Sequence, residues 1–298
     1  TQAESSAASD VYKRQDPVYD DGNGSLVLEV LAGTVDCNTP GLDHNQVAAC
    51  NAINEIVLTN FPDPGSDAET VLNEILLAAT TNPAAVLEQL HPEGYLALGQ
   101  ALQKANSQMI DSATNRMGEL RHMRPYPKRD RECGMWARGL YNQYEFEGNG
   151  EHHGYSSDIY GGEIGGDCRV DHDVIVGGFA GYTKGEVDHE LDFEGEFNSY
   201  HAGIYGTYRI PELYVDGVIS YGMAENEASR GVNVGAINRT ATAEFDSSVI
   251  GAKVEAGYDF IYHKDGIEVG PIASLEFQRV MMDGFTETGA GALNVTIE

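Results

Sequence analysis

The side chains in this sequence that could do chemistry are carboxylates, histidines and four cysteines, and their spacing favours electrostatics over catalysis. Asp188-His-Glu-Leu-Asp-Phe-Glu-Gly-Glu196 concentrates acids but lacks the ligand spacing of a calcium loop, so it reads as a charged external loop. The nine histidines are scattered; His152, His153 and His172 fall in expected loops, where a solvated imidazole is a simpler reading than a metal ligand. There is no Gly-x-Ser-x-Gly elbow, phosphate loop or zinc-type cysteine set, and the reading assigns no catalytic residue, no metal and no cofactor. Cys37 and Cys50 precede a helix; a bridge there would close a small loop and imply an oxidising compartment, against the alternative of two buried thiols. If the first hairpin turns at Asn149–Gly150–Glu151, Arg138 faces Glu163 and Cys133 faces Cys168, giving a second bridge or a second thiol pair.

These groups need strands to position them, and the chain from Cys133 supplies strands. In Val249–Tyr262, Ile250, Ala252, Val254, Ala256, Tyr258, Phe260 and Tyr262 share one parity, while Lys253, Glu255 and Asp259 share the other. Alternate strand residues point to opposite faces, so one face is apolar and the other charged. Similar segments are expected near 133–147, 155–170, 173–187, 197–209, 212–226, 241–262 and 267–281, with an eighth starting near Phe285. Tight turns at 170–173, 210–212 and 263–266 alternate with longer loops at 148–154, 188–196 and 226–240. That order belongs to an outer-membrane-type barrel, and tyrosines near strand ends suit its interface girdles. The face opposite the lipid then carries Arg138 and an acidic wall of Glu163, Asp167, Asp216, Glu255, Asp259, Glu268 and Glu276.

Composition fits. The 298 residues carry 18 basic and 47 acidic side chains, a net charge of −29 that argues against a nucleic-acid partner. The 35 glycines and 16 tyrosines beside one tryptophan suit a glycine-rich β protein. No apolar run is long enough for a membrane-spanning helix, which says nothing against a membrane barrel, because barrel strands give a much weaker signal per segment. Residues 1–15 resemble translated adapter sequence and read as a non-native or disordered leader. Residues 16–36 form a hairpin, and 37–123 are helical, with segments at 46–59, 66–79, 84–90 and 92–121. From Asn106 the last helix turns small and polar around an apolar thread of Met109, Ala113, Met117 and Leu120. Residues 106–121 would span about 24 Å at 1.5 Å per residue, close to the hydrocarbon thickness of a bilayer. A hydrated pore suits such a helix, and a solvated linker is the equal alternative; in a pore, Arg116 and Arg121 could pair with the acidic wall.

Three features together resemble the C-terminal region of bacterial autotransporters, the type V secretion family. They are the hairpin Asp20-Asp-Gly-Asn-Gly-Ser-Leu-Val-Leu-Glu-Val30, the linker motifs Asn45-Gln-Val-Ala-Ala49, Leu87-Glu-Gln-Leu90 and Arg116-Met-Gly-Glu-Leu-Arg121, and the opening strand Gly134-Met-Trp-Ala-Arg-Gly139 with Gly177-Gly-Phe-Ala-Gly-Tyr182 after it. The resemblance implies a mainly β fold: a transmembrane antiparallel up-and-down barrel of about twelve strands, with a helical linker in its pore. Residues 16–36 become the end of a β passenger, and 133–298 an incomplete barrel of seven or eight strands. The chain is expected to be cut at both ends, since the family's terminal aromatic strand is missing. The implied function is an outer-membrane pore that carries an N-terminal passenger to the cell surface, without enzymatic activity. Implied partners are outer-membrane lipid, the chain's own passenger, the barrel-assembly machinery and periplasmic chaperones. Some members cleave their linker, but nothing marks Asn106 or Asn115 as reactive. A porin-like or adhesive outer-membrane barrel and a soluble ligand-binding barrel are the alternatives.

Overall fold

A computed structural model describes residues 15–19, 26–30, 33–122, 133–149, 152–258, 260–262 and 267–298. Two short strands, β1 (Gln15–Tyr19) and β2 (Leu26–Val30), pair antiparallel. Helix α1 (His44–Thr59) begins at a reciprocal cap: Asp43 accepts from the Gln46 N–H at 2.7 Å, and Gln46 accepts from the Asp43 N–H. Ser66 caps α2 (Asp67–Ala79), and Asn82 with Pro83 opens α3 (Pro83–Glu88). Helix α4 (Glu93–His122) runs for 30 residues. None of the described helices is long and apolar enough to cross a membrane.

Seven strands follow in one antiparallel sheet. They are β3 (Cys133–Phe146), β4 (Tyr155–Asp171), β5 (Val174–His189), β6 (Phe193–Arg209), β7 (Leu213–Val234), β8 (Ile237–Tyr258) and, after a small ribbon of β9 (Phe260–Tyr262) and β10 (Ile267–Val269), β11 (Ile272–Met282). The order is β3-β4-β5-β6-β7-β8-β11. The sheet curls around α4, which packs against β4 to β8 and β11; its edges, β3 and β11, do not pair with each other. The register places Arg138 opposite Glu163 and Cys133 opposite Cys168.

Two expectations are corrected. The long loops at 188–196 and 226–240 do not exist: strands run through both, leaving Glu190–Asp192 and Gly235–Ala236 as turns. The reason is an inversion of polarity along the strands. Toward the tight turns at 172–173 and 210–212 the outer face is apolar, with Ile204 66% and Ile219 54% exposed, while Asp216 and Ser220 point inward. Toward the hairpin tips the same outward parity carries Glu225, Glu227, Glu244 and Asp246, while Ala228, Val232, Ala243 and Phe245 are buried. Asp188, Glu194, Glu196 and Glu227, which fell in the expected loops, are outward strand residues. In register, Asp158, Glu186, Glu196, Glu227 and Glu244 form one row across β4 to β8. Four residues below that row on β5 and β6, Tyr182 and Tyr200 pair with ring centroids 5.3 Å apart.

The second correction concerns the segment from Phe285. It is no eighth strand of the sheet. Strands β12 (Phe285–Thr286) and β13 (Thr296–Ile297) pair with each other instead, and a 3-10 turn covers Gly291–Leu293. Phe285 and Glu287 are buried where Phe245, Tyr95 and Arg230 can receive them, and burying an aromatic ring outweighs extending an edge strand. Three cores result. One joins α4 to the sheet near the hairpin tips, one joins α4 to β5, β6 and β7 near the tight turns, and one packs α1 to α3 on the β7–β8 tip.

Candidate functional site

The interior of the curled sheet is occupied by one helix, and the two are matched residue by residue. The apolar thread of α4 is buried: Met109, Ala113 and Met117 are fully enclosed and Leu120 nearly so, against Ile175, Phe179, Tyr205 and Val218. The fit depends on glycine in the wall, because a Cβ on Gly181 would collide with the Met109 thioether. At the other end Gly94 plays this part on the helix, where a Cβ would enter the ring of Phe193.

Polar groups fix the helix on the sides that the thread leaves. Arg116 binds Asp167 through two nitrogens, at 2.8 and 3.2 Å, a fork-to-fork contact that sets rotation as well as distance. Asp167 also accepts from the Tyr205 hydroxyl at 3.0 Å, which in turn accepts from the Trp136 indole at 2.7 Å. Five residues on, Arg121 pairs with the buried Asp216, lies over the Tyr214 ring at 3.7 Å and approaches Glu255. Arg209 donates to the Arg121 carbonyl, covering the end of the helix. From the wall, Arg138 reaches the Ser112 carbonyl and Glu119, and Lys253 bridges Asp111 and Glu276. Asn106 donates to Gln278 and accepts from Ser220, both at 2.9 Å. Where the pairs are buried, at Arg116–Asp167 and Arg121–Asp216, opposite charges attract strongly enough to hold the helix in one register.

The residues expected in the lumen are thus brought together: Met109, Ala113, Arg116, Met117, Leu120 and Arg121 on the helix, and Arg138, Asp167, Asp216, Glu255 and Glu276 on the wall. Glu163 faces inward beside Arg138 and is only 2% exposed. Asp259 and the side chain of Glu268 lie outside the described residues. Cys37 is bonded to Cys50, tying the segment ahead of α1 to that helix, and Cys133 is bonded to Cys168, joining β3 to β4 at the tight-turn end.

Other members of the site were not singled out in the sequence. Tyr205 and Tyr214 share the inward parity of their strands, a signal that was available. In the aromatic collar around Tyr95, Phe193 lay in a stretch read as a loop, while Phe245 and Phe285 lay in stretches read as strands. His172 is exposed, as expected of a loop residue. His152 and His153 are not free in solvent: His152 contacts Glu93 at 3.1 Å and His153 contacts Glu88, because the β3–β4 loop rests on the start of α4. Among the described residues no group of three ligands is placed to hold a metal.

At the opening of the α4 lumen toward the hairpin tips, burial dominates. Arg230 binds Glu287 through two nitrogens at 2.9 and 2.6 Å, and Glu287 also accepts from the Tyr95 hydroxyl at 2.8 Å. Burial opposes ionisation of Glu287, but the Arg230 guanidinium and the Val295 N–H outweigh it and hold the carboxyl below its ordinary range.

The sequence model of the autotransporter β-domain family matches residues 135–298. The extracellular serine protease of Serratia marcescens is 28% identical over 184 residues, 61% of this chain and 17% of that protein. Outer membrane protein B of Rickettsia japonica is 21% identical over 270 residues, 86% of this chain and 16% of its own length. The pertactin autotransporter of Bordetella bronchiseptica is 29% identical over 195 residues, 63% of this chain and 19% of its own length. This chain therefore spans less than a fifth of each of these relatives. Among solved structures, the translocator domain of autotransporter NalP from Neisseria meningitidis aligns with a TM-score of 0.49 at 12% identity, covering 65% of each chain.

Proposed function

Because this chain belongs to the autotransporter family, we propose that its outer-membrane β domain is a translocator that carries the segment N-terminal to α4 to the cell surface, and that α4 then plugs the pore. The observation that carries this reading is the threading of α4. Glu93 lies beside the β3–β4 loop at the hairpin-tip end, and Arg121 lies beside Asp216 and Arg209 at the tight-turn end. At the tip end the strands run on past the apolar belt with Glu227 and Glu244 facing out, as the longer extracellular side of an outer-membrane barrel does, so in this reading everything ahead of Glu93 lies on the outer side. Residues 16–36 are then the end of the passenger and 37–92 its linker. The pore does transport and no enzymatic chemistry; lipid covers the apolar belt, and assembly machinery and periplasmic chaperones handle the chain before insertion.

Two measurements test this. Protease or antibody on intact cells should reach residue 30; inaccessibility would favour a porin-like or adhesive barrel with periplasmic helices. In planar bilayers, replacing Asp167, Asp216 and Glu255 with alanine together should raise conductance, since the helix loses its anchors. Unchanged conductance would sink the plug. A soluble ligand-binding barrel would partition into water without detergent; the exposed Leu275, Ile204 and Ile219 favour the detergent phase.

A further inference from the structure

We infer that the protruding β7–β8 hairpin is a folding platform for the exported linker. The inference rests on the export reading above. Each strand of this hairpin has 22 residues, against 14 for β3. In register the last four pairs, from Gly231–Thr240 to Val234–Ile237, stand beyond the end of β6, an overhang of about 13 Å at 3.3 Å per residue. Its tip is not bare: Val232, Val234, Ile237 and Ala241 are buried in one core with Val71, Ile75, Leu76 and Leu87 of the linker.

Polar contacts repeat the match. Arg239 binds Asp67 through two nitrogens at 2.9 and 2.5 Å, Glu74 accepts from the Ala236 N–H at 3.1 Å, and the Gln89 carbonyl accepts from Arg230 at 3.0 Å. Three separate parts of the linker thus read three positions on the hairpin.

The linker needs this surface. Residues 33–92 make a unit of about 60 residues, a size at which a buried core is marginal by itself. The unit also cannot fold on the way out, because the lumen holds a single helix, about 10–12 Å across with its side chains. Folding therefore waits until the linker emerges, and it is then completed against a hairpin that stands only on that side.

The test uses the full-length protein in cells. In the Val234→Asp, Ile237→Asp variant the barrel should insert normally, judged by heat-modifiable migration. External protease should then cut α1 to α3 at least tenfold faster than in the unmodified protein, and residue 30 should reach the surface several-fold more slowly. Resistance and export at unmodified rates would overturn the inference while leaving the export reading intact. Failure of residue 30 to reach the surface in the unmodified protein would overturn both. Should the double variant not insert, the ion pair decides: Asp67→Arg should sensitise α1 to α3, and adding Arg239→Asp should restore resistance. No sensitisation by Asp67→Arg would overturn the inference.

Discussion

The two halves of the β7–β8 hairpin share strands, register and alternation, yet their polarity is opposite. Near the tight turns the outer face is apolar and the inner face holds Asp216, Glu255 and Lys253 against the arginines and acids of α4. Near the tip the outer face holds Glu227 and Glu244, and the inner face packs alanine, valine and phenylalanine against Tyr95 and the linker. The difference teaches that alternation reports a strand with two unlike environments but not which environment is which. Lipid outside with a polar helix inside, and water outside with a packed core inside, yield opposite signs of one period-two pattern.

The comparison can be broken most severely in the charged half. Arg116→Ala leaves Asp167 buried without its fork, and removing one partner of a buried pair costs about 3–5 kcal/mol. Thermal unfolding of the detergent-solubilised barrel should show this loss, and Arg116→Ala with Asp167→Ala should recover part of it. Next in size is a test of the outer faces. Ile219→Lys puts a cation in the apolar belt and should destabilise by about 2–4 kcal/mol. Glu227→Lys, on the same parity nearer the tip, should stay within about 0.5 kcal/mol. Equal effects in a denaturant titration would abolish the proposed inversion.

The smallest effect concerns pH at the tip. Hydrogen bonds from Arg239, and then from the Ala292 N–H, lower the Asp67 carboxyl from 3.8 to about 2. A depressed acid contributes stability above its unfolded value and loses it as pH falls through the folded one. Hydrogen exchange in α2 should therefore quicken between about pH 4 and 2, and Asp67→Asn should remove that step while leaving the Asp167 and Asp216 pairs unaffected.

Much of the fold was legible in the sequence, for reasons that differ by region. The Cys133–Cys168 and Arg138–Glu163 partners follow from one turn position, because antiparallel register is arithmetic once the turn is set. The linker helices announce themselves through Ser66 and Asn82-Pro83. The membrane-level strands were legible because apolar-out parity persists from Leu213 to Met223. Beyond Met223 the sign reverses, and Glu227, like Asp188, Glu194 and Glu196 on β5 and β6, then looks like loop composition. In the lumen, Arg116 and Arg121 could be matched to an acidic wall as a class. Their individual partners could not, since the choice of Asp167 and Asp216 depends on the rotation of α4, which the Gly181–Met109 approach fixes. Phe285 was misread because its partners, Tyr95 and Phe245, are remote in sequence.

The row from Asp158 to Glu244 has a consequence for how deeply the molecule floats. Sliding the sheet inward by four residues, about 13 Å along the strands, would carry five carboxylates down to the tyrosine pair and toward hydrocarbon. Sliding it outward would lift Ile204 and Ile219 toward water. The draught of the barrel is thus fixed from both sides, as a hull is by its waterline. When the membrane is thicker or thinner than the belt, the lipids must stretch or compress to meet it, and the protein keeps its level.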